Sequence, residues 1–255
     1  MPASPELEGR VAVITGAGAG IGRAIARRLA LDGALVVVTD KHEGRMNETL
    51  DALKREFPDG TFTAHRLDIE RRDDFDRVLP AVEAQFGPIQ IYVWNAALNI
   101  PSPILEQDAA VLDRVLTANI NNCWYSCVPV VDQMKRAGGG AITMIGSIAP
   151  DTGAAEIEPP YAMSKAAVRA LSQGIAKAAG PDGVRCNDIV MGLVTGTRFT
   201  DSRPDVMAEF LPKVPLGRHA DVDDIAEAVA FLSSDRARYI TGAVLNVTGG
   251  LHLGL

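Results

Sequence analysis

Cysteine, histidine and basic charge are all scarce in this chain, and each shortage removes a class of function. The three cysteines, Cys123, Cys127 and Cys186, are an odd number with neither zinc-ribbon nor CxxC spacing, and they are expected to be structural thiols. The four histidines, His42, His65, His219 and His252, are scattered with no HExxH pattern, which leaves a metal site without support. A net charge of −7 and a pI near 5.1, with no basic cluster, argue against a nucleic-acid surface. No apolar run approaches the length of a membrane span, and MPASPELEGR holds no apolar targeting core, so a cytoplasmic protein with no membrane contact is expected. Linkers and fixed-period repeats are missing too. A chain of 255 residues with 47% hydrophobic content is then expected to form a single domain over 1–255.

What is present is concentrated between Val11 and Gly22, VAVITGAGAGIG, followed by RAIARRLALDG with apolar residues at helical spacing. An apolar run, a glycine cluster and a helical pattern read as strand, tight turn and helix. Gly16 suits a sharp turn, Gly20 admits a pyrophosphate close to the main chain, and Gly22 lets helix and strand pack closely. The helix N-terminus would aim free N–H groups and a partial positive charge at the phosphates. The glycines read GxxxGxG and no lysine follows them, which favours a dinucleotide over ATP or GTP. The next strand, Ala34 to Asp40, ends in a carboxylate placed to accept hydrogen bonds from the adenosine ribose. That charge repels a 2′-phosphate and Ala19 offers it no cation, so NAD is the expected cofactor. Lys41 is the residue that would tolerate NADP.

The rest of the chain keeps the same rhythm. A helix from Arg45 to Phe57, the strand TFTAHRLDI ending near Asp68, a helix from Asp73 to Phe86 and a strand from Ile89 to Trp94 come in turn. Asp68 either lies near the adenine or caps the following helix. Then follow a helix from Ala109 to Met134, the strand AITMIGS, a helix from Tyr161 to Ala178, the strand VRCNDIV, a helix from Val222 to Leu232 and the strand AVLNV. Such alternation predicts an α/β fold, a doubly wound parallel sheet of Rossmann type with helices on both faces.

Tyr161 and Lys165 stand one helical turn apart in YAMSK and share a face. A nearby ammonium stabilises phenolate, so the pair is expected to lower the tyrosine pKa and make it an acid/base. Ser147, at a strand end on the same sheet edge, is placed to bind a substrate oxygen. Its surroundings, IGSIA, lack the GxSxG elbow of a serine hydrolase.

TGAGAGIG, Asp40, Asp68, Asn95 to Ala97, Asn119 in LTANI, Ser147, YAMSK and Asn187 in RCNDI occur in an order that resembles the short-chain dehydrogenase/reductase family over nearly the whole length. The resemblance implies hydride transfer between a nicotinamide and a carbonyl or alcohol carbon of a small-molecule substrate. It makes Tyr161 the proton carrier and Ser147 the holder of the substrate oxygen, gives Lys165 both the nicotinamide ribose and the tuning of Tyr161, and has Asn119 support a relay water. The implied cofactor contacts are Gly16, Ala19, Gly20, Ile21, Gly22, Asp40, Asp68, Ile69, Asn95, Ala96, Tyr161, Lys165, Gly192, Val194 and Thr197.

The chain departs from the family pattern in several places. Trp94-Asn95-Ala96-Ala97 replaces the usual NNAG, so a displaced backbone and a bulkier site are expected there. Met191 replaces a proline before Gly192, which removes a fixed φ angle beside the expected carboxamide contact. The customary threonine falls at Gly196, and Thr197 stands in for it. The loop after Ser147, IAPDTGAAEIEPP, is about one residue longer than usual and is expected to shape the substrate pocket.

Gly192 to Pro215 is too long for an ordinary connection and reads as a substrate lid, with a short helix near Pro204 to Leu211 forming over bound NAD and substrate; a rigid helix used in oligomer contact is the alternative. The apolar surface of Ala109 to Met134 and Tyr161 to Ala178 suggests a homotetramer, or failing that a dimer. Two competing functions are a 3-oxoacyl carrier-protein reductase using NADPH and a non-catalytic nucleotide sensor.

Overall fold

The structure, a computed structural model, is described for residues 6–106, 108–152 and 158–253. Strands β1 (Val11–Thr15), β2 (Leu35–Asp40), β3 (Phe62–Arg66), β4 (Ile91–Trp94), β5 (Gly140–Ile145), β6 (Val184–Met191) and β7 (Val244–Val247) form one parallel sheet. Its order is β3-β2-β1-β4-β5-β6-β7. The central strands are continuous apolar runs, VAVIT, LVVV and IYVW, as burial on both faces requires.

Alternate side chains of these strands feed two cores. Ala12, Ile14, Val36, Val38, Ile91 and Val93 pack with Ile25 and Leu29 of α1 (Gly20–Leu31) and with Ile225 and Val229 of α9 (Val222–Ser233). Val13, Val37, Tyr92, Trp94, Ile142 and Cys186 pack on the other face. There they meet Phe75 and Val78 of α3 (Arg72–Phe86), Cys123 and Val130 of α5 (Asn122–Arg136) and Val168 of α6 (Pro159–Ala179). The chain leaves β1 toward β2 and β3, then returns to place β4 on the other side of β1. That reversal opens a crevice at the carboxyl ends of β1 and β4, where ligands of such sheets bind. Between β2 and β3 runs α2 (Glu43–Glu56). The three cysteines are all free and buried.

Two local features differ from the sequence expectation. The helix expected over Ala109 to Met134 is two helices, α4 (Ala109–Leu116) and α5, joined by a π-helical turn at Thr117–Asn121. Apolar periodicity runs on through the join, so nothing in the pattern marks the wider turn, a form that often accompanies functional sites. Trp94 does not crowd the crevice: it is fully buried and stacks on Phe75, ring centroids 5.8 Å apart, on the α3 side. β4 keeps its register with β1 through Val93 and Ile14. No helix among the described residues is long and apolar enough to cross a membrane.

Candidate active site

The glycine turn is shaped by backbone angles and by close contacts at particular glycines. Gly16 and Gly20 hold φ angles of +68° and +51°, in the region that favours glycine. A Cβ on Gly22 would lie 2.2 Å from the Gly16 carbonyl oxygen and 2.7 Å from Asn95 Nδ2, so the start of α1 can press against the end of β1 only as glycine. Asn95 Nδ2 donates to the carbonyls of Thr15 at 2.8 Å and Gly16 at 3.3 Å, and Thr15 Oγ1 accepts from the N–H groups of Asn95 and Ala96. The turn is thereby tied to the end of β4. Ala19, the N-cap of α1, gives no side-chain cap and the first turn holds no acid, which leaves its N–H groups open to an anion.

Gly18 escaped the sequence reading, although it is the second of the four glycines in the cluster. Its N–H donates to Asp40 Oδ2 at 3.1 Å, and a Cβ there would stand 2.7 Å from that oxygen. Asp40 Oδ1 accepts from the His42 N–H at 2.9 Å, so each oxygen keeps lone-pair capacity for a further donor. Arg23 and Thr49 hold the turn from below by donating to the Gly18 carbonyl, at 2.7 Å and 3.3 Å.

These groups border a cavity of about 360 Å³. Of the expected cofactor contacts, Gly16, Ala19, Gly20, Ile21, Gly22, Asp40, Ile69, Asn95, Ala96 and Thr197 line it; Asp68, Gly192 and Val194 do not, and neither do Asn119, Ser147, Tyr161 or Lys165. Asp68 Oδ1 is spent on the Glu70 N–H at 3.1 Å. Nor does Asp68 cap α3, whose N-cap is Arg71; Asp74 reaches back from inside the helix to the Asp68 N–H instead. Lys41, His42 and Arg45 stand at the Asp40 end, with Lys41 Nζ 3.6 Å from Glu70. A turn that admits no Cβ at Gly18 or Gly22, an uncapped helix start and a carboxylate at the far rim together fit a dinucleotide.

Beyond β5 the second cluster assembles. Two prolines, Pro159 and Pro160, open α6 where a missing N–H costs nothing, which sets Tyr161 in the first turn and Lys165 one turn on. Lys165 is buried and its Nζ donates to the Ile145 carbonyl at 2.6 Å, lying 5.5 Å from the Tyr161 ring centroid. Ser147 Oγ accepts from the Ala149 N–H at 3.1 Å. Asn119, in the π-turn, accepts from the Leu98 N–H at 2.8 Å and donates to the Leu98 carbonyl and Ser164 Oγ, both at 2.9 Å. Its amide thus clamps the β4 exit to α6 and leaves a water only limited access to that side chain.

The expectation of a lowered tyrosine pKa is corrected here. Burial pushes the Tyr161 phenol up to about 12, a hydrogen bond with Ser147 pulls against that, and Glu158 adds to the rise. Lys165 is itself drawn down to about 8 by burial, with Asp188 and Cys123 opposing, and its ammonium is aimed at a backbone carbonyl. Sequence gives the spacing of the pair; it does not give the loss of solvent that outweighs it.

Met191 carries β6 to its end, and its carbonyl accepts from the Ile148 N–H at 3.1 Å. After Gly192 the segment returns through a bridge between Val194 and Ala220. Thr197 caps α7 (Arg198–Asp201), and α8 (Pro204–Phe210) follows where a short helix was expected. The Gly196 carbonyl lies 3.5 Å from the position of a Cβ on Gly20, so this segment crosses the glycine turn. In the longer loop after Ser147, residues 153–157 lie outside the described residues.

Comparison with known proteins agrees with this geometry. A family model described as enoyl-(acyl carrier protein) reductase matches residues 16–252. The (3R)-3-hydroxyacyl-CoA dehydrogenase of Canis lupus familiaris is 35% identical over 260 residues, covering 98% of this chain and 100% of that protein. The L-rhamnose 1-dehydrogenase (NAD(P)(+)) of Azotobacter vinelandii is 33% identical over 251 residues, covering 96% and 98%. A short-chain type dehydrogenase/reductase from Mycobacterium ulcerans superposes with a TM-score of 0.91 at 29% identity, covering 96% of this chain and 90% of that one. A seven-stranded sheet in this order, a glycine cradle at its reversal point and full-length likeness to such dehydrogenases place the chain in the short-chain dehydrogenase/reductase family, as an oxidoreductase.

Proposed function

We propose that the chain transfers a hydride between NAD and a secondary alcohol or its ketone, with Tyr161 moving the proton. The observation that carries this reading is the meeting of Ser147, Tyr161 and Lys165 at the sheet edge that also holds the glycine cradle. The nicotinamide, when bound, accepts the hydride from the alcohol carbon or returns it to the carbonyl. Tyr161 takes or gives the hydroxyl proton at Oη, and a phenol raised to about 12 is in its proton-donating form at neutral pH. Ser147 Oγ holds the substrate oxygen, and Lys165 binds the nicotinamide ribose. Asn119 acts through the backbone and α6, so its support of a relay water would come from the π-turn main chain.

Asp40 supports NAD, because its carboxylate faces the cavity where a 2′-phosphate would sit. NADPH and a 3-oxoacyl carrier-protein substrate form the second reading, favoured by Lys41 and Arg45 at the same rim. Gly192 to Pro215 is read as a lid, since Phe199 lines the cavity while Leu211 stays exposed. Trp124 and Val128 on α5 and Met163 on α6 are exposed by 55%, 56% and 55%, an apolar face that supports pairing of copies into a homotetramer.

Replacing Tyr161 by Phe should lower turnover about 10²- to 10⁴-fold with NAD affinity retained, and near-normal turnover would refute the proton role. Asp40→Ala should cut the ratio of kcat/KM for NAD over NADP by about tenfold or more, as lost charge-assisted bonds imply; equal use of both cofactors before mutation would favour the second reading. Hydrogen exchange should report new protection of amides in Gly192 to Pro215 when NAD and an alcohol are added, whereas equal, strong protection throughout means a rigid segment. Light scattering at micromolar concentration should return a tetramer that Trp124→Glu dissociates, and a monomer from the unaltered chain would rule the assembly out.

A further inference from the structure

One buried carboxylate among the described residues accepts no hydrogen bond. Asp188, on β6, is fully buried, and neither of its carboxylate oxygens accepts a hydrogen bond from any described residue. Its neighbour Asn187, by contrast, is fully used in bridging to the Ile240 carbonyl and the Ala243 N–H. Burying a carboxylate without a hydrogen-bonded partner is costly, and a strand with Val184, Cys186 and Ile189 around it would pack as well with an apolar residue.

Asp188 lies on the face of the sheet covered by α6. Arg169 of that helix brings Nε to 3.7 Å from Oδ2, too long for a hydrogen bond. Its two terminal nitrogens are committed elsewhere, to the oxygens of Asp151 at 3.2 Å and 2.6 Å. Arg169 therefore answers Asp151 more fully than it answers Asp188. One turn earlier on the same helix stands Lys165, the other buried cation of the site. On the strand side, a Cβ on Gly146 would lie 2.6 Å and 2.8 Å from the two oxygens of Asp188. The carboxylate thus rests directly against the backbone that links Ile145, whose carbonyl receives the Lys165 ammonium, to Ser147.

We propose that Asp188 is a positioning residue that keeps Lys165 charged and aimed at the nicotinamide ribose from beneath the catalytic helix. The proposal rests on the reading of Lys165 given under Proposed function. Two acids, the buried Asp188 and the part-buried Asp151, stand with two cations, the buried Lys165 and the part-buried Arg169, so the group of four is neutral only when Lys165 carries its proton. Losing that proton would leave two carboxylates to a single guanidinium. Around them stand Cys186 and Cys123, the Tyr161 phenol, Glu158, and His252, whose Nε2 is 3.6 Å from Asp151. The directions of titration agree: burial draws Lys165 down to about 8 while Asp188 holds it up, and burial raises Asp188 to about 6 while Lys165 and Arg169 restrain it.

Nuclear magnetic resonance of ε-labelled lysine reads this directly, because Lys165 shares the chain with only Lys41, Lys54, Lys135, Lys177 and Lys213. Lys165 should titrate below the ordinary lysine value, near 8. Asp188→Asn should lower its midpoint by about one pH unit or more, the scale of an opposite charge at close range. Arg169→Met should move it up, since the two carboxylates then answer Lys165 alone. Opposite shifts are what a purely structural role would not produce. A folded Asp188→Asn protein with an unmoved Lys165 midpoint overturns the proposal. If that variant does not fold, an Arg169→Met protein with the midpoint unmoved or lowered overturns it equally. Turnover of Tyr161→Phe decides the catalytic reading separately, because the lysine titration needs no substrate.

Discussion

The close approach of two backbones, the start of α1 against the end of β1, sets the terms for the rest of the site. Gly22 has to sit where any side chain would strike the Gly16 carbonyl, and Asn95 then fills the remaining gap with its amide. Because Thr15 and Asn95 are joined through side-chain hydrogen bonds, the turn, the β4 exit and the first turn of α1 form a single rigid piece. Asp40 is locked onto this piece through Gly18, so the carboxylate at its rim is held at a fixed distance from the helix N-terminus. A ribose joined to a pyrophosphate has a limited reach, and a cradle that holds a carboxylate and a helix N-terminus in fixed relation suits that pair of groups.

A second rigid piece carries Tyr161 and Lys165, and Asn119 couples it to the first. Its amide grips Leu98, which continues the chain from Asn95, and Ser164, which lies between Tyr161 and Lys165. The π-turn is what directs Asn119 inward while α4 and α5 continue on either side of it. In this way the π-turn sets the spacing between the cradle and α6.

Legibility in the sequence followed the physics of each feature. Strands buried on both faces are apolar throughout, and helices alternate with them, so the element order and the parallel sheet could be read with ends correct to within a few residues. Tyr161 and Lys165 were legible because helical spacing guarantees a shared face. Trp94 was not, since a strand buried on both sides carries no mark of which side a bulky residue takes. The π-turn left no trace because Thr117 to Asn121 keeps the apolar rhythm around it. Asp68 was undecidable for a different reason: its competitor for the helix start, Asp74, lies inside the helix, and only the folded chain shows which acid reaches which amide. Asp188 did carry a signal, an acid inside a buried apolar strand, but the adjacent Asn187 fitted a known pattern and drew the reading.

The packing of α1 against α9 has a consequence for how the chain is made. Ile25 and Leu29 of the first helix are buried together with Ile225 and Val229 of the last one, and Arg28 donates to Glu227 at 2.6 Å across 199 positions of sequence. During synthesis α1 leaves the ribosome roughly 200 residues before α9, at about 5–20 residues each second. Over that interval the stripe of the cradle helix can pack only on β1 and β2, and the face that meets Ile225 and Val229 is covered last.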